Sequence, residues 1–376
     1  MDILVITWNF PPRRGGMEQL LGSLCNGLSK NHQLFVITSY AGPSYERETG
    51  ILRPRWPGLF AFFAYALCKG ALLLRGQRDI SVVFGGSVLV MPIVLFLAKI
   101  FGRKAIVQAH GLDVVYSRWI YQLLCVRWLK LCERVIVNSG YTASLVEQKG
   151  AAPDRITVIP PGVDLGAFAR PVNAEAIKKE FGLEGKQIIL FVGRLARRKG
   201  VKEFIENSLA KIIQELPDVR FVVVGDNPKE SLTHRGDVLS EIKAAIAEMK
   251  MQDHVFLLGA LEDMDVIKLY HACDVVILPA LAVAGDVEGF GIVSLEAAAA
   301  AKPVVTTRIG GIADAVEHEA SGIVVAPEDY RSMSQSIIDL LSDHKTRSAI
   351  GEYAKKRVEE TFCWDSIISR YEKAFV

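Results

Sequence analysis

Ile188-Ile189-Leu190-Phe191-Val192-Gly193-Arg194-Leu195-Ala196-Arg197-Arg198-Lys199-Gly200 is the stretch on which the fold turns. A continuous apolar run is stopped by glycine and leads into a basic loop, the pattern of a buried strand whose carboxyl end opens onto a loop. Further runs at residues 220–224, 255–258, 275–278, 304–306 and 322–325 alternate with segments at helical spacing. That alternation predicts repeated βα units and a parallel sheet.

Upstream, the same pattern appears once already. Strands are predicted at 3–7, 34–38, 80–84, 105–108, 135–138 and 157–159, and helices at 17–29, 59–74, 89–100, 119–131 and 142–148. Pro160-Pro161-Gly162-Val163-Asp164, followed by Pro171, separates the two series. The expected domains are therefore 1–171 and 172–362. A chain of 376 residues suits two such cores, since single domains centre on about 100–150 residues. The fold class expected is α/β, with two Rossmann-like doubly wound domains.

Half of the residues are hydrophobic and 23% are charged, so the chain is neither disordered nor low in complexity. Six cysteines are scattered without a C-x-x-C pair or zinc-ligand spacing, which favours a reducing compartment. No basic leader precedes the first strand, and a cytoplasmic place is expected. The net charge of +2 hides an asymmetry: residues 1–170 carry 19 Lys+Arg against 10 Asp+Glu, the remainder 25 against 32. A basic half suits nucleic acid, an anionic substrate or an anionic membrane. The basic residues are spread over many elements and form no nucleic-acid module. Neither apolar stretch, 59–74 nor 80–98, reads as a membrane span: the first is short and holds Lys69, the second holds Gly85, Gly86, Ser87 and Pro92.

Glu288-Gly289-Phe290-Gly291-Ile292-Val293-Ser294-Leu295-Glu296 carries the most chemistry. It follows a strand and enters an alanine-rich helix. The glycines let backbone approach a ligand, and the N–H groups near Ile292 and Val293 suit a phosphate. Glu296, one turn inside the helix, is placed for ribose hydroxyls, and Glu288 on the loop for a sugar. Arg194 and Lys199, at the edge where open α/β sheets bind ligands, would meet a diphosphate. An ordinary helix entry and a solvated basic loop are the plain alternatives.

Gly193-Arg194 with Lys199-Gly200, together with the Glu288/Glu296 spacing E-G-F-G-x-x-x-x-E, resembles the family 4 retaining glycosyltransferases of GT-B fold. The resemblance extends to Gly15-Gly16, His110-Gly111, Asn138-Ser139, Pro161-Gly162-Val163-Asp164 and Gly310-Gly311, and so covers nearly the whole chain. It implies a site between two facing domains. Arg194 and Lys199 would hold the diphosphate, Glu296 the ribose, and Glu288 with the backbone of Gly289, Phe290, Gly291 and Ile292 the transferred sugar. Leu261 would lie near the base, through backbone contact. A closing helix, about 363–376, is implied to return to the first domain.

In the first domain Pro11-Pro12-Arg13-Arg14-Gly15-Gly16 is not a dinucleotide fingerprint, yet its glycines can admit a phosphate or the sugar. His110, at a predicted strand end, is expected to bind a sugar hydroxyl near the anomeric carbon. Asp113 either orients the acceptor or caps the next helix; Arg13 and Arg14 join it as candidate acceptor-side residues. Bond cleavage places negative charge on the diphosphate, which Arg194, Lys199 and the helix start would stabilise. No D-x-D pair stands beside this loop, so no metal or other cofactor is expected, the nucleotide sugar being a substrate. Retention at the anomeric carbon follows from the resemblance.

Likeness to bacterial lipid-directed mannosyltransferases favours GDP-mannose as donor, with glucose or a related sugar open, and a lipid-linked or polysaccharide acceptor. Arg53-Pro54-Arg55-Trp56-Pro57-Gly58-Leu59-Phe60-Ala61-Phe62-Phe63 suits peripheral contact with an anionic membrane at its inner face, against the alternative of a buried helix beside solvated arginines. Two other readings share the architecture: a nucleotide-sugar 2-epimerase and a non-catalytic nucleotide-sugar-binding protein.

Overall fold

Apolar runs become strands wherever helices cover both of their faces. In the computed structural model, which describes residues 1–13, 15–42, 50–170, 172–227 and 236–376, they build two sheets. The first comprises β1 (Asp2–Ile6), β2 (Gln33–Ile37), β3 (Ile51–Leu52), β4 (Ile80–Gly85), β5 (Lys104–Ala109), β6 (Arg134–Val137) and β7 (Ile156–Val158), in the order β3-β2-β1-β4-β5-β6-β7. The second comprises β8 (Gln187–Val192), β9 (Val219–Val224), β10 (Val255–Gly259), β11 (Val275–Leu278), β12 (Val304–Thr307) and β13 (Gly322–Val325), in the order β10-β9-β8-β11-β12-β13. Every pairing described is parallel. The doubly wound class holds for both. In each sheet the strand order reverses once, between β1 and β4 and between β8 and β11, and such switch points open a crevice at the carboxyl ends.

Side chains alternate across the first sheet. Ile3 and Val5 join α1 (Gly16–Leu28) and the closing helix Trp364–Phe375 in one core, whereas Leu4 and Ile6 join α2 (Leu59–Gly76) and α3 (Met91–Phe101) in another. The closing helix is fixed by Tyr371, whose hydroxyl donates to Gln108 Oε1 at 2.8 Å, and by Ile368 lying over Gly27. Its origin in sequence is remote, but its apolar stripe is complementary to α1.

The chain divides into Met1–Gly162 with Trp364–Val376, and Val163–Cys363. This division comes before the expected 171, and Pro171 lies outside the described residues. Packing explains it: Val163 and Phe168 are buried in the second core, Phe168 stacks at 5.9 Å on Tyr270, and the Val163 N–H donates to Phe362 O. The proline cluster marks a turn, and the apolar side chains after it decide the unit.

Two local expectations change. β3 is too short for alternation to reveal. The predicted helix 119–131 breaks at Cys125 into α5 (Trp119–Leu124) and a 3₁₀ turn, Val126–Leu131, which buries Val126 and Leu129 at a spacing that matches three residues per turn. α2 is long and apolar enough to cross a membrane by length and composition. It nevertheless buries the stripe Phe62, Ala66, Gly70 and Leu74 in the first unit, with Gly70 so close to Leu97 that a Cβ would meet it at 2.7 Å.

Candidate functional site

The second unit concentrates charge beyond β8 and β11, on either side of its switch point. In Arg197-Arg198-Lys199 the three cations part company. Arg197 turns outward to Glu241, while Arg198 and Lys199 are buried. Lys199 Nζ lies 2.7 Å from Glu288 Oε2, and Arg198 lies 3.4 Å from the same oxygen and 3.1 Å from Asp286 Oδ1. Two cations and two carboxylates thus share one low-dielectric place, where removal of any one strands its partner.

Backbone geometry makes this convergence possible. Gly200 adopts φ +67°, and a Cβ there would strike Pro279 O at 1.9 Å, so the basic loop closes on the chain beyond β11 only with glycine. The Leu281 N–H then donates to Arg198 O. On the other side Gly310, at φ +57°, passes so near Glu288 that a Cβ would meet its carbonyl at 2.1 Å, and Gly311 N–H donates to that carbonyl. Glu288 is held at backbone and side chain alike.

Burial alone would raise the Glu288 pKa, but Lys199 and Arg198 outweigh it and hold the carboxyl below its ordinary value. Burial pulls the Lys199 ammonium down, with Glu288 opposing. Arg194 is exposed, and its charge is felt by both. It presents the outward cation of the group.

Glu296 sits one turn inside α7 (Val293–Ala299), a shorter helix than its alanine run suggests. Tyr270, buried on α6 (Asp263–Ala272), donates its hydroxyl to Glu296 Oε2 at 2.7 Å. Burial raises the Glu296 pKa, and the Tyr270 hydrogen bond opposes that rise. At the helix entry the Ser294 N–H donates to Gly291 O, and Phe290 is buried at 6.0 Å from the Phe362 ring. Leu261 is half-buried just beyond β10.

The first unit is organised differently. His110, 8% exposed beyond β5, directs Nε2 to Gly86 O at 2.9 Å. A carbonyl only accepts, so Nε2 carries the proton. Asp113, in the first turn of α4 (Leu112–Val115), accepts the His110 N–H on Oδ1 at 2.8 Å and the Val88 N–H on Oδ2 at 3.1 Å. Both of its oxygens are engaged in holding the chain around His110. Neither bond goes to an N–H of α4, so the carboxylate does not cap that helix but positions the chain around His110. Asn138 Nδ2 reaches His110 O at 3.4 Å, while Asn138 Oδ1 and Ser87 Oγ, both buried, have no protein partner among the described residues.

Gly15 and Gly16 form the entry to α1, as the sequence implies, but a glutamate faces them. Glu18 is buried in the first turn, accepts from Asn9 Nδ2 at 2.7 Å, and occupies the space beside Gly15, where a Cβ would meet its Oε2 at 2.4 Å. A carboxylate there repels phosphate and suits a hydroxyl. Arg13 stacks over Trp8 at 4.9 Å, and Arg14 lies outside the described residues. Arg53 is neither solvated nor free: it donates to Ser39 O and Pro11 O, bracing the β1 loop.

Sequence reasoning missed Arg198, Asp286, Tyr270 and Glu18. For the first two the signal was the adjacency to Lys199 and Glu288. Tyr270 and Glu18 offered none beyond a polar residue on a helix.

Family models match both parts of the chain: "Glycosyltransferase Family 4" over residues 14–167 and "Glycosyl transferases group 1" over residues 173–357. An uncharacterized glycosyltransferase of Methanocaldococcus jannaschii is 28% identical over 389 residues, covering 98% of this chain and 96% of its own. The GDP-mannose-dependent alpha-(1-6)-phosphatidylinositol monomannoside mannosyltransferase of Mycolicibacterium smegmatis is 26% identical over 372 residues, covering 96% and 95%. Anabaena HepE, solved with UDP and glucose, superposes with a TM-score of 0.79 at 20% identity, covering 99% of this chain and 98% of its own.

Proposed function

We propose that this chain, which belongs to the family 4 glycosyltransferases of GT-B fold, transfers a hexose with retention from a nucleotide-diphosphate sugar to a lipid-linked or glycan acceptor. Mannose from GDP-mannose is the preferred sugar, a reading supported by the activity named for the mycobacterial relative. The observation that carries the proposal is the pairing of Lys199 and Arg198 with Glu288, beside Arg194 and on the loop that leads into the helix of Glu296.

In this reading Arg194 meets the diphosphate first. Arrival of that dianion gives Lys199 a second partner, and its shared charge stabilises the leaving phosphate as the glycosidic bond breaks. Glu288 accepts from the sugar hydroxyls, and the Glu296 oxygen not bonded to Tyr270 accepts from the ribose. His110 with Gly15 and Gly16 contacts the sugar from the first unit, where Glu18 favours a hydroxyl. The leaving phosphate takes the acceptor proton, and attack occurs on the face it vacates. The chain's own cations supply the counter-charge, so the reaction proceeds without a metal. The enzyme works in the cytoplasm, against the inner face of an anionic membrane.

Incubation with labelled nucleotide sugars, with and without a lipid extract, tests this. Label is expected in lipid only when acceptor is present, with GDP-mannose the best donor and with an unchanged rate in chelator. Conversion of the donor to its 2-epimer without acceptor overturns transfer.

A further inference from the structure

The outer face of the first unit is unlike a solvated helical layer. α2 packs against α3, and α3 against the 3₁₀ turn that continues α5, so these elements form one layer over the sheet. α2, α3 and the 3₁₀ turn each bury one stripe inward, while no residue of α5 is fully buried. The outward sides then carry large apolar groups: Trp56 (72% exposed) and Phe60 (87%) at the start of α2, Phe96 and Ile100 on α3, and Trp119 (71%) and Leu124 on α5. Isolated exposed apolar residues are ordinary, but a run of them on adjoining elements of one layer marks an interaction surface. In the second unit the exposed large apolar residues among those described are only Val172, Met264 and Tyr353, on separate elements.

Charge identifies the occupant. Residues 51–132, which supply this layer, contain 11 Lys+Arg against two Asp+Glu. One of those two, Asp113, is turned inward to backbone N–H groups. An exposed apolar face set in unbalanced positive charge is complementary to an anionic interface that is apolar a few ångströms down, and aromatic side chains are the groups that lodge there.

We propose that the outward face of α2, α3 and α5 docks on an anionic lipid bilayer, with Phe60 and Trp119 inserted among the headgroups. This rests on the membrane contact proposed above and names the surface that makes it. It keeps only part of the basic 53–63 stretch and adds a second anchor: Arg53 is spent on Ser39 O and Pro11 O and Phe62 is buried, while Phe60 is joined by Trp119 on α5, far along the sequence.

Co-sedimentation of the full chain with phosphatidylglycerol/phosphatidylcholine vesicles, and with phosphatidylcholine alone, decides it. The expected result is binding to the anionic vesicles only, weakened in high salt, and reduced about tenfold by Phe60→Ser combined with Trp119→Ser. Both positions are exposed, so the variant should keep the melting midpoint and the transfer rate toward a water-soluble acceptor analogue. Met264→Ser with Tyr353→Ser, in the second unit, should bind as the unaltered chain does. Undiminished binding by the first variant overturns this surface while leaving membrane contact in place. No binding by the unaltered chain overturns both, and loss of a lipid-free dimer in the same variant would assign the face to a second copy instead.

Discussion

Glu288 and His110 both stand just beyond the carboxyl ends of parallel strands, yet different forces hold them. Around Glu288 the partners are ionic: Lys199 at 2.7 Å and Arg198 at 3.4 Å, with Asp286 behind. Around His110 they are hydrogen bonds, the ring donating to Gly86 O and the main-chain N–H to the Asp113 carboxylate. A buried ion group gains its stability from mutual attraction and loses it steeply when one member goes, whereas a hydrogen-bonded frame loses it bond by bond. The difference suits the tasks proposed. A diphosphate changes the local charge by two units and needs counter-ions that can be shared, while a neutral sugar needs fixed donors and acceptors.

The comparison breaks most readily at Glu288. Replacement by Gln keeps the shape and removes the charge, and a loss of about 10³-fold in transfer is expected, in the range of a lost transition-state contact. Affinity for the nucleoside diphosphate should hold within about twofold, because Lys199 is freed for it; undiminished turnover ends the sugar-facing role. Next in size is Asp286→Asn, which strands half of the Arg198 charge. Removal of one member of a buried pair costs about 3–5 kcal/mol. Combining it with Arg198→Met should recover part of that loss, a coupling that denaturant titration of the single and double variants measures. Additive losses would mean the pair is ionic in distance only.

Asp113→Ala sharpens the other side. Two backbone N–H groups lose their acceptor, costing about 1–3 kcal/mol, and the His110 backbone is released. Transfer should fall with the hydrogen-bonding geometry while nucleotide affinity stays put. A fall in nucleotide affinity instead would place Asp113 in the wrong half of the function.

Legibility in the sequence followed the same division. The two βα series were visible because buried parallel strands are continuous apolar runs, and β8 with its basic loop announced the second sheet. Glu288, Glu296 and Arg194 could be placed because strand, loop and helix start follow one another locally. What stayed hidden is non-local. Asp286 and Arg198 are far apart in the chain and meet only when Gly200 lets the loop close on Pro279. Tyr270 faces Glu296 from another helix. The unit boundary escaped because prolines advertise a turn, whereas Val163 and Phe168 choose their core by packing. Asp113 was ambiguous for a different reason: a carboxylate four residues past a strand end looks the same whether it caps a helix or ties down two loops.

The smallest effect expected has the opposite sign and lies within the charged unit itself. Glu288 and Glu296 are both half-buried, but their pKa values move apart. Glu288 is held below its ordinary value, so its contribution to stability is present above the unfolded-state pKa and is lost as pH falls through the lower folded value. Glu296 is raised by burial, so the folded state binds its proton more tightly than the unfolded chain does. Its contribution is present below the unfolded-state pKa and is lost as pH rises through the folded value, so the site weighs against folding at higher pH. Glu296→Gln keeps an oxygen for the Tyr270 hydroxyl and removes the charge. The ligand-free chain should then melt about 2 °C higher at pH 7, with no gain well below the ordinary carboxylate range, while affinity for the nucleotide falls. Thermal denaturation across pH reads the first effect and nucleotide titration the second. A stabilised variant that still binds nucleotide at full strength would separate Glu296 from the ribose, and a variant destabilised at pH 7 would mean that the carboxylate is paired more strongly than its single hydrogen bond to Tyr270 implies.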